Sequence, residues 1–185
     1  MSDPRRRPVT WSYSRDALER VRESIDLAEG RLGVAVLDDS GIANVLRTSR
    51  RIAVIGASSK PHRASNDILR YLIAAGYDVV PVHPNERQVE GLTCYRTLAE
   101  AVLATGPVDI VDVFRRAEFC PGHAREAVAA GARCLWLQLG IVSAEAARIA
   151  ASGGLSVVMD RCIKVDHRRL VPPDPQVNGM PGAVP

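Results

Sequence analysis

Aromatic side chains are scarce. Two tryptophans, four tyrosines and two phenylalanines make up 4% of 185 residues, so the core must be aliphatic and alanine-rich. Lysine is scarcer still. Of 24 basic side chains only Lys60 and Lys164 are lysines, against 22 arginines. An arginine bias of that size fits a GC-rich genome and leaves two lysines to account for. No run approaches 18 apolar residues, which excludes a membrane-spanning helix. Met1-Ser2-Asp3-Pro4-Arg5-Arg6-Arg7 has no apolar stretch behind it and is not expected to be a secretory signal. The four cysteines (Cys94, Cys120, Cys134, Cys162) form no C-x-x-C pair. That argues against a zinc site or a disulfide framework and favours a reducing cytoplasm. A net charge of +3, with no alternation of basic and aromatic residues, gives no support to nucleic-acid binding.

What is present is a regular alternation. Residues 1–13 are polar and Pro/Arg-rich and are expected to be disordered. Ser14 can cap a helix carrying Leu18, Val21, Ile25 and Ala28 at helical spacing, and a second short helix starts at Asp39 or Ser40. From residue 51 onward, aliphatic runs alternate with helical patterns. The runs are Ile52–Gly56, Asp78–Val82, Asp109–Phe114, Arg133–Leu137 and Leu155–Met159. Short connections between them predict an α/β fold with a doubly wound parallel sheet of about five strands and an N-terminal helical extension. Pro81 lies inside the second run, where it marks an edge strand or an early strand end. Residues 171–185, with five prolines and two glycines, are expected to be a flexible tail.

In such a sheet, ligands bind beyond the carboxyl ends of the strands, at the point where strand order reverses. The segments expected there are Gly56-Ala57-Ser58-Ser59-Lys60, His83-Pro84-Asn85, Arg115-Arg116, Gln138-Leu139-Gly140 and Asp160-Arg161-Cys162-Ile163-Lys164. Both lysines fall in this set. The first segment leads into a helix N-terminus, where backbone N–H groups can hold a phosphate. It matches neither G-x-G-x-x-G nor the P-loop pattern. The second carries no carboxylate at the place where an NAD site grips its ribose, and Glu86 lies just beyond. This suits a ligand with phosphate on its ribose, and NADP and coenzyme A both qualify.

Five stretches carry a family resemblance: Arg51-Ile-Ala-Val-Ile-Gly-Ala-Ser58, Val80-Pro-Val-His-Pro-Asn85, Val108-Asp-Ile-Val-Asp-Val-Phe-Arg-Arg116, Leu135-Trp-Leu-Gln-Leu-Gly140 and Val158-Met-Asp-Arg-Cys-Ile-Lys164. Residues about 40–170 resemble the small bacterial CoA-binding domain proteins, related to the CoA-binding domain of the succinyl-CoA synthetase alpha subunit. The resemblance implies a Rossmann-like domain over 40–170 that holds CoA or an acyl-CoA, with 1–39 as an extension and 171–185 as a tail. It places Gly56, Ala57, Ser58 and Lys60 at the phosphates, Pro84 and Asn85 beside the nucleotide, and Phe114, Arg115 and Arg116 on its other side. Gln138, Leu139 and Gly140 line the pantetheine path. Asp160, Arg161 and Lys164 match a motif without an assigned role, and Lys164 is counted among the ligand-binding candidates. The phosphohistidine domain of the larger ligases has no counterpart in these residues.

No catalytic group or metal ligand is identified. Asp109 and Asp112 are three apart on a strand and point to opposite faces. Cys120 at a helix start and Cys162 near His167 are read as buried small residues. The expected function is therefore a non-catalytic CoA-binding, carrier or regulatory protein, whose N-terminal helices contact a partner or a second copy. The alternatives are an NADP-binding oxidoreductase and an interaction module without a ligand.

Overall fold

Strand β1 (Arg51–Ile55) is aliphatic on both faces, and its last four residues are buried. That is the pattern of a parallel strand covered on both sides. In the computed structural model it is the second strand of a five-stranded parallel sheet. The structure describes residues 14–172. The expected disordered segment, 1–13, and all but the first two residues of the flexible tail expected over 171–185 lie outside the described residues.

The chain divides into two compact units, residues 1–33 and 34–185. The first contains α1 (Arg15–Ala28), whose N-cap Ser14 accepts the Ala17 N–H at 3.2 Å. Its apolar residues Leu18, Val21 and Ile25 are exposed.

The second unit opens with α2 (Asp39–Thr48), capped by the Asp38 carboxylate on the Gly41 N–H at 2.8 Å. After β1 come α3 (Ala64–Ala74), β2 (Asp78–Val82), a two-residue-per-strand hairpin β3 (Gln88–Val89) and β4 (Leu92–Thr93), and α4 (Leu98–Thr105). Then follow β5 (Ile110–Val113), a 3-10 turn at Ala117–Phe119, α5 (Cys120–Ala129), β6 (Cys134–Leu137), α6 (Ala144–Ser152), β7 (Ser156–Val158) and α7 (Ile163–Leu170). Thr97 and Ser143 cap two further helices of this unit, accepting N–H groups of the first turns of α4 and α6.

The main sheet runs β2-β1-β5-β6-β7, all parallel. Helices α2, α3 and α7 pack together, as do α4, α5 and α6. Right-handed crossovers put these two groups on opposite faces. Pro81 lies in β2, the edge strand, where a missing N–H breaks no ladder. Its carbonyl accepts the Tyr95 N–H at 3.0 Å, so the segment after β4 covers part of that edge. The core is aliphatic, as the scarcity of aromatics requires. The fully buried Trp136 is its largest side chain, with its indole N–H donating to the Arg161 carbonyl at 2.7 Å.

Candidate functional site

From β1 the chain turns through α3 to β2 at one edge, and from β5 it turns through α5 to β6 in the other direction. The loops leaving β1 and β5 therefore diverge and leave a crevice at their carboxyl ends. Gly56 sits at its base. Its φ is +84°, and its N–H donates to the Val82 carbonyl at 2.9 Å. A Cβ here would lie 2.9 Å from the Phe114 carbonyl oxygen and 3.2 Å from Cδ of Arg115. Only glycine lets the two loops approach this closely.

The loop from β1 winds over the head of α3. Ala57 is buried, Ser58 half-buried, and Ser59 and Lys60 exposed. The Lys60 N–H donates to Ser58 Oγ at 3.3 Å. Asn66, fully buried on the first turn of α3, donates from Nδ2 to the Ser58 carbonyl and to Glu90 Oε1, each at 2.9 Å. Its Oδ1 is buried without a partner. No side chain caps α3, so the dipole at its N-terminus remains available to an anion. One anion already stands on this loop: Glu86 accepts the Ser59 N–H at 3.3 Å. The Ser59 hydroxyl and then its N–H hold the Glu86 carboxyl below its usual acidity range. In the sequence Glu86 lay beyond the strand end; in the fold it reaches back onto the loop, and a phosphate using that amide must displace it.

Across the crevice, Phe114 and Arg115 are half-buried, with the Arg115 guanidinium 5.4 Å from the Phe119 ring centroid. The two arginines expected to face the ligand separate here. Arg115 lies against Gly56, whereas Arg116 is 81% exposed and pairs with Glu118 at 3.6 Å. Arg115 lines a cleft of about 160 Å³ together with Ile55, Gly56, Val82 and Pro84. Its other wall is Arg96, Thr97, Leu98, His123 and Glu126. His123 Nδ1 lies 2.8 Å from Glu126 Oε2. Sequence reasoning missed Arg96, His123 and Glu126. The available signal was a His and a Glu three apart at the start of a helix, which puts them on one face. Pro84 and Asn85 are exposed at the end of β2, the Asn85 N–H donating to His83 Nδ1 at 3.1 Å.

At the ends of β6 and β7 the candidates turn inward or bind one another. Gln138 is buried and donates from Nε2 to Asp112 Oδ1 at 2.8 Å. Leu139 and Gly140 are exposed, and the Gly140 N–H donates to Asp160 Oδ1 at 2.6 Å. Arg161 pairs with Asp166 and Asp39, and Ile163 is fully buried. Lys164 Nζ, on α7, lies 2.8 Å from Asp67 Oδ2 on the first turn of α3. The motif without an assigned role is thus a set of internal bonds holding the last strand end and α7. Cys94, Cys120 and Cys134 are buried, and burial pushes their thiols up, that of Cys120 to about 12, whereas Cys162, expected to be buried, is half-buried at the start of α7. His167 Nδ1 is engaged by the Tyr71 hydroxyl at 2.8 Å.

Asp112 is fully buried on β5 with its Oδ2 unpartnered, and burial pushes its carboxyl up to about 8. The folded state then binds this proton more tightly than the unfolded chain does. The stability Asp112 contributes is complete below its ordinary range near 4 and is lost as pH rises through about 8. Asp112→Asn keeps the acceptor for Gln138 and removes the charge. The variant is expected to unfold at higher urea than the parent at pH 9, by about 3 kcal/mol, and to lose that advantage below pH 5. Parallel unfolding curves at all pH values would show that Asp112 does not titrate in this range.

Fold and crevice together define a protein of the Rossmann-like class with a crevice at the switch point of its sheet. The family model described as "CoA binding domain" matches residues 50–168, and the chain belongs to this family. An uncharacterised Bacillus subtilis protein, YneT, is 40% identical over 126 residues, 68% of this chain and 91% of the relative. A solved structure of a hypothetical protein from Pyrococcus horikoshii is 33% identical, with a TM-score of 0.70, covering 73% of this chain and 93% of that one. An acetyl-coenzyme A synthetase from Ca. Korarchaeum cryptofilum matches at 24% identity and a TM-score of 0.52, over 60% of this chain and 26% of the synthetase, a likeness of fold. Among the described residues no helix is long and apolar enough to cross a membrane, and no group of three His, Cys, Asp or Glu could hold a metal ion.

Proposed function

We propose that the chain binds coenzyme A or an acyl-CoA across the strand ends, as a cytoplasmic, non-catalytic binding, carrier or regulatory protein. The observation that carries this reading is the crevice over Gly56, in a chain of the CoA-binding domain family. On one side of it stand the uncapped head of α3 and Lys60, and on the other Arg115. In this reading Gly56, Ala57, Ser58 and Lys60 meet the pyrophosphate through backbone amides and the lysine charge. Pro84, Asn85 and Phe114 flank the nucleotide, with Arg115 beside it and Arg116 at the outer rim. Leu139, Gly140 and the backbone of Gln138 border the pantetheine. Lys164 acts on the site through Asp67 and the first turn of α3. The exposed Leu18, Val21 and Ile25 on α1 support a contact with a partner or a second copy.

Native mass spectrometry of the purified protein is expected to find CoA copurified. Calorimetric titration with CoA, acetyl-CoA and NADP is expected to favour the CoA compounds. Lys60→Ala, at an exposed position, should weaken CoA about tenfold and reduce the thermal stabilisation that excess CoA gives the parent. A folded sample that binds no CoA at millimolar concentration would overturn the reading.

A further inference from the structure

The cleft beside Gly56 has an electrostatic composition that the pyrophosphate contacts do not use. We propose that it is a subsite for a phosphate monoester carried on the ribose of the ligand, held by Arg96, Arg115 and His123. The inference rests on the CoA reading and names the part of CoA that this corner takes, its 3′-phosphate.

Neither guanidinium is paired with an acid among the described residues, and the Glu100 carboxylate beside Arg96 accepts its backbone N–H at 3.1 Å. The Arg96 side chain has no ion pair among the described residues, and the Arg115 guanidinium meets the face of Phe119 instead of an acid. Other arginines around the strand ends, Arg116 and Arg161, are paired with Glu118 and with Asp166. Two cations lining one cleft of about 160 Å³ repel each other, and a group with close to two negative charges relieves that repulsion. Glu126, the acid in the cleft wall, is committed to His123 Nδ1 at 2.8 Å. This contact orients the imidazole and leaves Nε2 as its remaining nitrogen. A monoester presents three terminal oxygens, enough for both guanidinium forks and the imidazole, and guanidinium suits phosphate better than ammonium does.

Shape and position agree with the charge. Ile55, Val82 and Leu98, all buried, form an apolar floor, with Pro84 at the rim, so a sugar or base face can lie against them. The volume is below the roughly 300–1,000 Å³ of sites that enclose a whole drug-sized ligand. Only a fragment enters, and the rest of the molecule lies along the strand ends. The cleft and the Ala57–Lys60 loop both adjoin Gly56, so one nucleotide can reach both.

The test compares CoA with 3′-dephospho-CoA, and NADP with NAD, by calorimetric titration of the full chain, its Arg96→Ala variant and its His123→Gln variant. The parent is expected to bind CoA about tenfold or more tighter than 3′-dephospho-CoA, and each substitution to bring that ratio toward one. Arg96 is exposed, and a variant that still binds 3′-dephospho-CoA has kept its fold at the site. Equal affinity of the parent for CoA and 3′-dephospho-CoA overturns the subsite and leaves the CoA reading standing. A ratio that persists in both variants overturns the assignment to Arg96 and His123. NADP bound over NAD, with neither CoA compound bound, supports the monoester subsite and overturns the CoA reading. No binding of any probe overturns both.

Discussion

Replacing Arg161 by alanine is expected to cost about 3 kcal/mol of folding stability, although the residue sits in a loop. Its guanidinium grips Asp166 with two bonds, Nε to Oδ2 at 2.9 Å and Nη2 to Oδ1 at 2.6 Å. The Asp166 side chain is only 4% exposed. Removing the fork leaves a buried carboxylate with one longer contact, Arg169 Nη2 at 3.2 Å. The loss of one partner from a buried pair costs more than the pair itself is worth, because the remaining charge stays desolvated. Arg161 also bonds Asp39 at the start of α2 at 2.8 Å, so the same side chain ties α2 to α7. Arg169 and then Arg161 hold the Asp39 carboxyl well below the usual carboxylate range. Arg161→Lys should recover little, since an ammonium cannot make the two-pronged contact. Thermal unfolding of Arg161→Ala should drop by about 8 °C for a chain of this size. A drop below about 2 °C would mean that Arg169 or water satisfies Asp166 unaided.

That motif shows where sequence and structure part. Strand and helix alternation was legible because each signal is local. An aliphatic run, a capping Ser or Thr and a terminating glycine all lie within a few residues of the element they define, as at Ser14 before α1. The edge position of β2 was foreshadowed by Pro81 for the same reason. The hairpin at 88–93 escaped notice because two-residue strands carry no period to read. Helix α7 was hidden too: its sequence, IKVDHRRL, is charged, and its stability comes from Ile163 in the core and from the arginine–aspartate network.

The strand ends that carry the candidate residues were legible in the sequence, and the partners of those residues much less so. The strand ends gave Lys60 and Arg115 their neighbourhood. What each side chain touches depends on contacts across tens of residues. Glu86 reaches Ser59, 27 positions away, Gln138 reaches Asp112, 26 away, and Lys164 reaches Asp67, 97 away. Arg115 and Arg116 are adjacent in sequence and were indistinguishable there. Chain direction at the end of β5 turns one onto Gly56 and the other into solvent. Asp112 lies within an otherwise aliphatic strand, and nothing near it in sequence announces that it would be buried without an opposite charge.

Gly56→Ala is expected to separate backbone strain from blockage of the crevice, and to cost the protein its ligand. Two penalties meet at this position. The first is conformational: at φ +84° an L side chain is strained by about 1–2 kcal/mol. The second is steric: the new methyl would press on the Phe114 carbonyl oxygen at 2.9 Å, a backbone atom that cannot rotate away. The loops from β1 and β5 must then part, and the Arg115 side chain, 3.2 Å away at Cδ, moves with them. Gly91, in the β3–β4 turn, is the matched control. Its φ is +79°, but nothing lies within 4 Å of an added Cβ. Gly91→Ala should lose about 1 kcal/mol and keep the parent's affinity for CoA, because strain alone does not reach the crevice. Gly56→Ala should lose about 2–3 kcal/mol and, in a sample still folded at 25 °C, bind CoA at least about tenfold more weakly. In thermal melts this appears as a Gly91 variant stabilised by excess CoA as the parent is, beside a Gly56 variant that is not. If the two variants respond alike to CoA, the approach of the two loops over Gly56 is a packing feature and the ligand lies elsewhere along the strand ends.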